Sequence, residues 1–129
     1  MADLLLIPQG DTLYAATPDQ VTLRYNESVD PSRKLFTVEL LTGATVVASG
    51  EQAATLIASA FNRGALGCAA QVLGLAQRMI DLSVQYTSER QQFGKPIGSF
   101  QAVKHHMANV AVRLEYAKAP THRAAYAVA

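Results

Sequence analysis

A polar and aromatic segment in the second half of the chain carries the residues best suited to binding chemistry. It runs from Tyr86 to Gln101 and reads Tyr-Thr-Ser-Glu-Arg-Gln-Gln-Phe-Gly-Lys-Pro-Ile-Gly-Ser-Phe-Gln. Arg90 offers a planar fork of donors that suits a diphosphate, and Phe93 offers an aromatic surface for a ring. Gln101 adds an amide, and the nearby glycines let a ligand approach the backbone. On the residues alone, a helix hairpin with an exposed arginine and a packing phenylalanine is the favoured interpretation, and a site for an anion joined to an aromatic ring is the alternative.

Other reactive side chains favour ordinary structural roles. His105 and His106 are adjacent, so on a helix they point about 100° apart and cannot chelate one metal well. Packing is the better interpretation for them and for His122, and we predict no metal site. The single Cys68 cannot form an internal disulfide, and its apolar surroundings predict a buried thiol in a reducing compartment.

The elements that must position the binding segment change in type near residue 50. Before that point, short apolar runs separated by Gly, Pro and Asp turns predict strands. The predicted strands are Asp3 to Ile7, Thr12 to Ala16, Val21 to Tyr25, Leu35 to Leu41 and Ala44 to Ala48. In the third strand, Val21, Leu23 and Tyr25 alternate with polar residues and predict one face turned inward. Tight turns between short strands predict part of an antiparallel β-structure.

From about Glu51 the apolar residues recur every three or four positions, which predicts a long helix to about Arg90. Its predicted apolar face consists of Ile57, Phe61, Ala65, Cys68, Val72, Ala76, Met79 and Ser83. Gln91 to Gly98 predicts a compact loop, and Ser99 is a candidate cap for a second, antiparallel helix. The apolar face of that helix is predicted at Val103, Met107, Val110 or Ala111, Leu114 and Ala117. Pro120 predicts a kink or a break in the second helix.

The sequence therefore predicts an α+β chain, with a partial antiparallel β-domain over residues 1–50 and a long helical hairpin over residues 51–129. Two amphipathic helices cannot cover all of their apolar faces, so we expect a four-helix bundle completed by other segments or chains. The formal net charge of +1 gives no reason to expect nucleic acid as a partner. No apolar run reaches the roughly 18 residues that a membrane span needs. Met1 to Ile7 lacks a basic leader, and we expect a cytoplasmic protein.

The run from Gly67 to Ala117 resembles the first two helices of the helical domain in the acyl-CoA dehydrogenase family. The most specific part is Glu-Arg-Gln-Gln-Phe-Gly-Lys-Pro at residues 89–96, followed by Ile97 and by Phe-Gln at residues 100–101. In that family the loop reaches across a subunit interface to the FAD of the neighbouring protomer. The resemblance places Arg90 on the FAD diphosphate and implies further FAD contacts for Phe93 and Gln101. Gln92 and Ile97 are additional candidates for FAD binding.

The earlier residues resemble the late strands of the family's middle β-domain, at Asp3 to Leu6 and at Val29 to Leu35. The resemblance covers nearly the whole chain but only part of a family subunit. Members of the family usually hold the acyl-CoA with an Asp and an Arg, where this chain has Asn62 and Ala65. The family's glutamate base lies either at the position of Gly64 or beyond this chain, so we predict no catalytic residue here.

The activity implied by the resemblance is α,β-dehydrogenation of an acyl-CoA thioester, with FAD as the hydride acceptor. Because the base and the substrate-binding pair are missing, we expect a non-catalytic or truncated subunit. It would complete a cofactor site in a homo- or hetero-oligomer of acyl-CoA dehydrogenase-like subunits. Two alternatives stay open: a structural or oligomerisation module that binds no flavin, and an inactive fragment of an ordinary enzyme.

Overall fold

Antiparallel strands followed by two long helices make up the computed structural model, which describes residues 3–128. Met1, Ala2 and Ala129, which belong to the two predicted domains, lie outside the described residues. The predicted α+β class is confirmed. The chain divides into two units between Ala60 and Phe61, within the first long helix.

Five strands form two antiparallel sheets in the first unit. They are β1 (Leu5–Gln9), β2 (Thr12–Ala16), β3 (Val21–Asn26), β4 (Leu35–Leu40) and β5 (Thr45–Ser49). One sheet has the order β1-β2-β5, and β3 pairs with β4 in the other. All five predicted strands are present, but β1 lies two residues later than predicted. It includes Pro8, which a strand at the edge of a sheet tolerates because one row of its amides is not needed for pairing.

Local hydrogen bonds fix the turns between these strands. Gly10 has a φ of 60° at the first position of the two-residue turn between β1 and β2, where glycine is favoured. The Gln20 carboxamide accepts from the Thr17 amide at 3.0 Å and donates to the Gly43 carbonyl at 2.7 Å. One side chain thus joins the turn before β3 to the turn before β5.

The turn before β4 is organised by Asp30. Its carboxylate accepts from the Ser32 amide at 3.0 Å and from the Ser32 hydroxyl at 2.6 Å. The Arg33 guanidinium lies 3.5 Å from the other carboxylate oxygen. These hydrogen bonds from Ser32, together with the charge of Arg33, lower the pKa of Asp30 because they stabilise its ionised form.

The predicted inward face of β3 is buried at one end alone. Val21 is buried, whereas Leu23 and Tyr25 are exposed, so the prediction is wrong for these two residues. Tyr25 lies opposite Phe36 of β4, and the rings meet edge to face with their centroids 5.7 Å apart. A two-stranded sheet pairs its own side chains but supplies no second layer to cover them.

Two antiparallel helices form the rest of the structure: α1 (Gly50–Glu89) and α2 (Gln101–Val128). The Lys118 ammonium lies 3.4 Å from the Gln77 amide oxygen, and the Arg63 guanidinium lies 3.5 Å from the Val128 carbonyl. Leu114 is 6% exposed and is the most buried apolar residue described on α2. The predicted face of α2 is confirmed at Val103, Met107, Leu114 and Ala117, and Ala111 is less exposed than Val110.

The face of α1 that lies along α2 agrees only in part with the predicted one. Its half-buried residues include Leu66, Leu73, Ile80 and Thr87, which recur every seven positions. In the predicted stripe, Ile57, Ala76 and Ser83 are half-buried as predicted, whereas Phe61, Val72 and Met79 are exposed. Cys68 is an exposed free thiol and not a buried one. Because α1 carries apolar residues around most of its circumference, one neighbouring helix covers only one of its faces.

Two predictions about α2 need correction. A kink or a break was predicted at Pro120; the helix runs without a break from Gln101 to Val128, so the break is absent and the kink stays a prediction. Ser99 does not cap α2 with its side chain: its hydroxyl donates to the Pro96 carbonyl at 2.7 Å and accepts from no amide of the described residues. Ser99 belongs to a short 3₁₀ turn, Ile97–Ser99, that precedes the helix. No helix in residues 3–128 is long and apolar enough to span a membrane.

Candidate functional site: the hairpin between the helices

A small β-hairpin connects α1 to α2 and carries the predicted binding residues. Its strands are β6 (Gln91–Gln92) and β7 (Lys95–Pro96). The two turn residues both have positive φ, 52° at Phe93 and 77° at Gly94. This combination is typical of a type I′ turn, whose twist matches that of the paired strands. Glycine adopts such a φ freely, but a bulky aromatic residue does so rarely and at a cost of about 1–3 kcal/mol.

The base of the hairpin is fastened to the end of α1. The Ile97 amide donates to the Arg90 carbonyl at 2.8 Å, and the Arg90 amide donates to the Tyr86 carbonyl at 2.9 Å. Gly98 packs so closely against the last turn of α1 that a Cβ added there would lie 2.9 Å from the Thr87 carbonyl oxygen. The absence of a side chain at Gly98 therefore allows the hairpin to fold back on the helix.

The five predicted FAD-binding residues lie in one short stretch around this hairpin. Arg90, Gln92, Phe93 and Gln101 are exposed, and Ile97 is half-buried. The Arg90 guanidinium makes no ion pair or hydrogen bond with the part of the chain that the structure describes. The adjacent Glu89 accepts instead from the Gln85 amide at 3.0 Å. Arg90 thus keeps its full set of donors for an anion.

Phe93 is almost fully exposed. Its side chain is 91% exposed at the tip of the hairpin. Its ring meets Phe100 at right angles, with the centroids 6.1 Å apart. The exposed face of the Phe93 ring is available for stacking against a planar ligand.

Three residues that support the hairpin were not among the predicted site residues: Lys95, Gly98 and Phe100. The Lys95 ammonium lies 4.5 Å from the centroid of the Phe100 ring, within the range of a cation–π interaction. The spacing of Phe93, Lys95 and Phe100 was visible in the sequence, but it indicates contact only once the type I′ turn is known. Gly98 is one of several glycines in and beside the loop, and nothing in the sequence distinguishes it as the one that packs closely on α1.

A cleft of about 470 Å³ lies beside the hairpin, between the end of α1 and the start of α2. Apolar residues and hydroxyl groups line it together with one cation, Lys104. None of the five predicted FAD-binding residues lines this cleft. The predicted site is therefore the exposed edge of the hairpin and not a cavity within this chain.

The region of Asn62, Gly64 and Ala65 lies at the opposite end of the helix pair. Asn62 and Ala65 line an open cleft of about 400 Å³ with Pro120 and neighbouring residues of α2, and Arg63 lines an adjacent one. Neither cleft has an Asp or Glu in its lining. Within residues 3–128 there is also no group of three His, Cys, Asp or Glu residues that could hold a metal ion.

Similarity to known proteins identifies the relatives of this chain. A family model described as "Acyl-CoA dehydrogenase, C-terminal domain" matches residues 54–129. The acyl-CoA dehydrogenase IpdE2 of Mycolicibacterium smegmatis is 37% identical over 122 residues, which cover 95% of this chain and 36% of the relative. The chain therefore spans about a third of the length of this curated relative.

Solved structures agree with the sequence match. A glutaryl-coenzyme A dehydrogenase in complex with glutaryl-CoA is 26% identical, with a TM-score of 0.76 over 88% of this chain and 31% of the other. The ChsE4–ChsE5 complex from Mycobacterium tuberculosis has the same fold, with a TM-score of 0.74, 24% identity, and coverage of 95% of this chain and 35% of the other. The matched strands and helices, together with the family model over most of the helical part, show that the chain belongs to the acyl-CoA dehydrogenase family.

Proposed function

We propose that this chain contributes an FAD-binding hairpin to an acyl-CoA dehydrogenase assembly and does not supply the catalytic base. The carrying observation is Phe93, a bulky aromatic residue that has a positive φ and is nevertheless 91% exposed. An unfavourable backbone conformation is retained here although the Phe93 residue stays almost fully exposed, which favours a role in binding. The family is FAD-dependent, and the flavin supplies the hydride acceptor when bound.

The charges and hydrogen-bonding groups of the hairpin fit FAD. Arg90 has an unpaired guanidinium for the diphosphate, and Phe93 has an open ring face for a planar group. The amides of Gln92 and Gln101 are exposed and can bond to polar edges, while Ile97 gives the site an apolar wall. We assign FAD binding to these five residues on this basis.

The reaction of the complete assembly is proposed to be α,β-dehydrogenation of an acyl-CoA thioester. A base for that reaction must come within hydrogen-bond distance of the substrate proton. The clefts beside Asn62 and Ala65 have no carboxylate in their lining, which supports the assignment of the base to another part of the assembly.

Acyl-CoA dehydrogenase-like subunits are the proposed partners, in a homo- or hetero-oligomer. Large apolar residues on both helices, including Phe61, Val72, Met79 and Tyr116, are exposed and suit contact with further helices. The ChsE4–ChsE5 complex supports a mixed assembly as one form. In this proposal residues 1–50 belong to a partial middle β-domain and residues 51–129 to a partial C-terminal helical domain, and the free thiol of Cys68 suits the reducing cytoplasm.

The test is FAD binding by the full chain in the oligomer that it forms, followed by size-exclusion chromatography with absorbance at 280 and 450 nm. Loss of the Arg90 guanidinium removes charge-assisted hydrogen bonds worth about 1.5–3 kcal/mol, so Arg90→Ala should raise the Kd for FAD roughly ten- to hundredfold. Arg78→Ala removes an exposed arginine elsewhere on α1 and should leave the Kd unchanged. An unchanged Kd in Arg90→Ala would contradict the proposed diphosphate contact.

A second candidate is a structural module that mediates oligomerisation without flavin. The same exposed apolar residues favour it, because they indicate association whether or not a cofactor binds. This function predicts an oligomer that stays colourless when FAD is added and that assembles equally well with Arg90→Ala.

A further inference from the structure

Phe100 contacts both sides of the turn that carries Phe93. Its ring centroid lies 6.1 Å from that of Phe93, at an interplanar angle of 88°. On the other side of the turn, the Lys95 ammonium lies 4.5 Å from the Phe100 centroid. Phe100 itself is half-buried, just before the first residue of α2. The ring is therefore anchored at the helix while it touches the turn end of the hairpin.

The tip of the hairpin has little else to hold it. Its strands are paired at Gln91 with Pro96 and at Gln92 with Lys95. A two-stranded hairpin of this size is not stable in water through backbone pairing alone. The turn is also opposed by the positive φ of Phe93, which disfavours a bulky residue. Something outside the backbone must favour the closed form.

The base of the hairpin does not supply this support. The hydrogen bond from Ile97 to Arg90 and the close packing of Gly98 on Thr87 lie where the hairpin joins the helices. They fix the position of the base and make no contact with the turn at Phe93 and Gly94. The contacts of Phe100 are the described side-chain contacts that reach the tip.

We propose that Phe100 and Lys95 are positioning residues that hold Phe93 in its ligand-facing conformation before any ligand arrives. The edge-to-face contact restrains the Phe93 ring, and the ammonium of Lys95 over the Phe100 face restrains the second strand. The contact of the Phe93 ring with flavin rests on the proposed function. The restraint itself is a property of this chain alone.

Nuclear magnetic resonance of the full chain tests the restraint without any ligand. The protons next to the Lys95 ammonium should be shifted upfield by the Phe100 ring current, and a strong nuclear Overhauser effect between the amide proton and the Hα of Phe93 should report its positive φ. Phe100→Leu should abolish the upfield shift and lower the ratio of closed to open hairpin by roughly two- to tenfold. Phe100→Tyr keeps the ring and should restore both signals.

Two further variants separate this effect from general loss of structure. Tyr126→Leu removes an exposed aromatic ring from α2 and should leave the hairpin signals unchanged. Lys95→Met keeps an apolar stem but loses the charge, and it should lower the closed fraction by roughly two- to fivefold without altering helix content. A positive φ at Phe93 that persists undiminished in both Phe100→Leu and Lys95→Met would overturn the proposal.

FAD titration distinguishes failure of this inference from failure of the proposed function. If both hold, Phe100→Leu raises the Kd for FAD by the factor by which it opens the hairpin, and Phe100→Tyr restores the Kd. If Phe93→Ala raises the Kd and Phe100→Leu does not, the positioning inference is overturned and the flavin site stands. If Phe100→Leu opens the hairpin while Phe93→Ala leaves the Kd unchanged, the positioning is supported and the flavin contact of Phe93 fails.

Discussion

Replacement of Gly98 by alanine tests the junction between the hairpin and α1. The added Cβ would lie 2.9 Å from the Thr87 carbonyl oxygen, 3.2 Å from its carbonyl carbon and 3.4 Å from its Cβ. Two of these atoms belong to the backbone of the last turn of α1, so the contact is relieved only if the chain shifts. Overpacking of this kind costs about 1–3 kcal/mol, and the lower entropy of the unfolded alanine chain offsets about 0.4–1 kcal/mol. We expect a net destabilisation of about 1–2 kcal/mol.

Gly74 provides a matched control within α1. A Cβ at Gly74 meets nothing within 4 Å, so alanine there gains helix propensity without a clash. Gly74→Ala should therefore stabilise the helical part by about 0.8–1 kcal/mol. Urea unfolding followed by far-ultraviolet circular dichroism gives the unfolding midpoint of both variants. The midpoints can be compared directly when the m-value is unchanged. A midpoint for Gly98→Ala equal to or above that of the parent chain would refute the steric argument.

Two further predictions concern α2 and the turn before β4. Pro120→Ala restores an amide hydrogen bond inside α2 and should raise the free energy of unfolding by about 1–3 kcal/mol, and an unchanged or lower urea midpoint would contradict this. The pKa of Asp30 is lowered in the folded chain, so its contribution to stability is present above the ordinary pKa of about 3.9 and is lost as pH falls through the folded pKa. Carbon-13 NMR titration of the Asp30 carboxyl should give a midpoint below that ordinary value. The Ser32 amide signal should shift over the same pH range, because this amide donates to the Asp30 carboxylate, and Asp30→Asn should abolish that shift.

The strands and their turns were predictable because their signals are local. Gly10 and Asp30 act on residues within three positions of themselves, and each marks a turn that the structure contains. The predicted first strand ends at Ile7, whereas β1 continues through Pro8 to Gln9. The tolerance of Pro8 depends on β1 having no partner on one side, and the sequence of the strand alone does not contain that information.

The connecting loop was predicted as compact, but its hairpin form was not. Type I′ turns usually carry Asn, Asp or Gly at both central positions, and here Phe93 precedes Gly94. The intrinsic preference of phenylalanine favours a strand or a buried core. In the structure the Phe93 ring is instead exposed at the turn. Local preference fails at this position, as it often does where a residue is retained for binding.

Which helix face pairs with which is set by the whole arrangement and not by local sequence. The apolar residues of α1 occupy more than one stripe, so periodicity identified the helix but could not choose between the stripe with Leu73 and the stripe with Val72. The hairpin differs in this respect, because its support comes from Phe100 and Gly98 within a few residues of Phe93. The chain can therefore shape the hairpin by itself, while its open helix faces need other elements for cover. Substitutions in the hairpin should thus weaken flavin binding without changing assembly, whereas substitutions at Val72 or Met79 should weaken assembly and, with it, the flavin binding that depends on the oligomer.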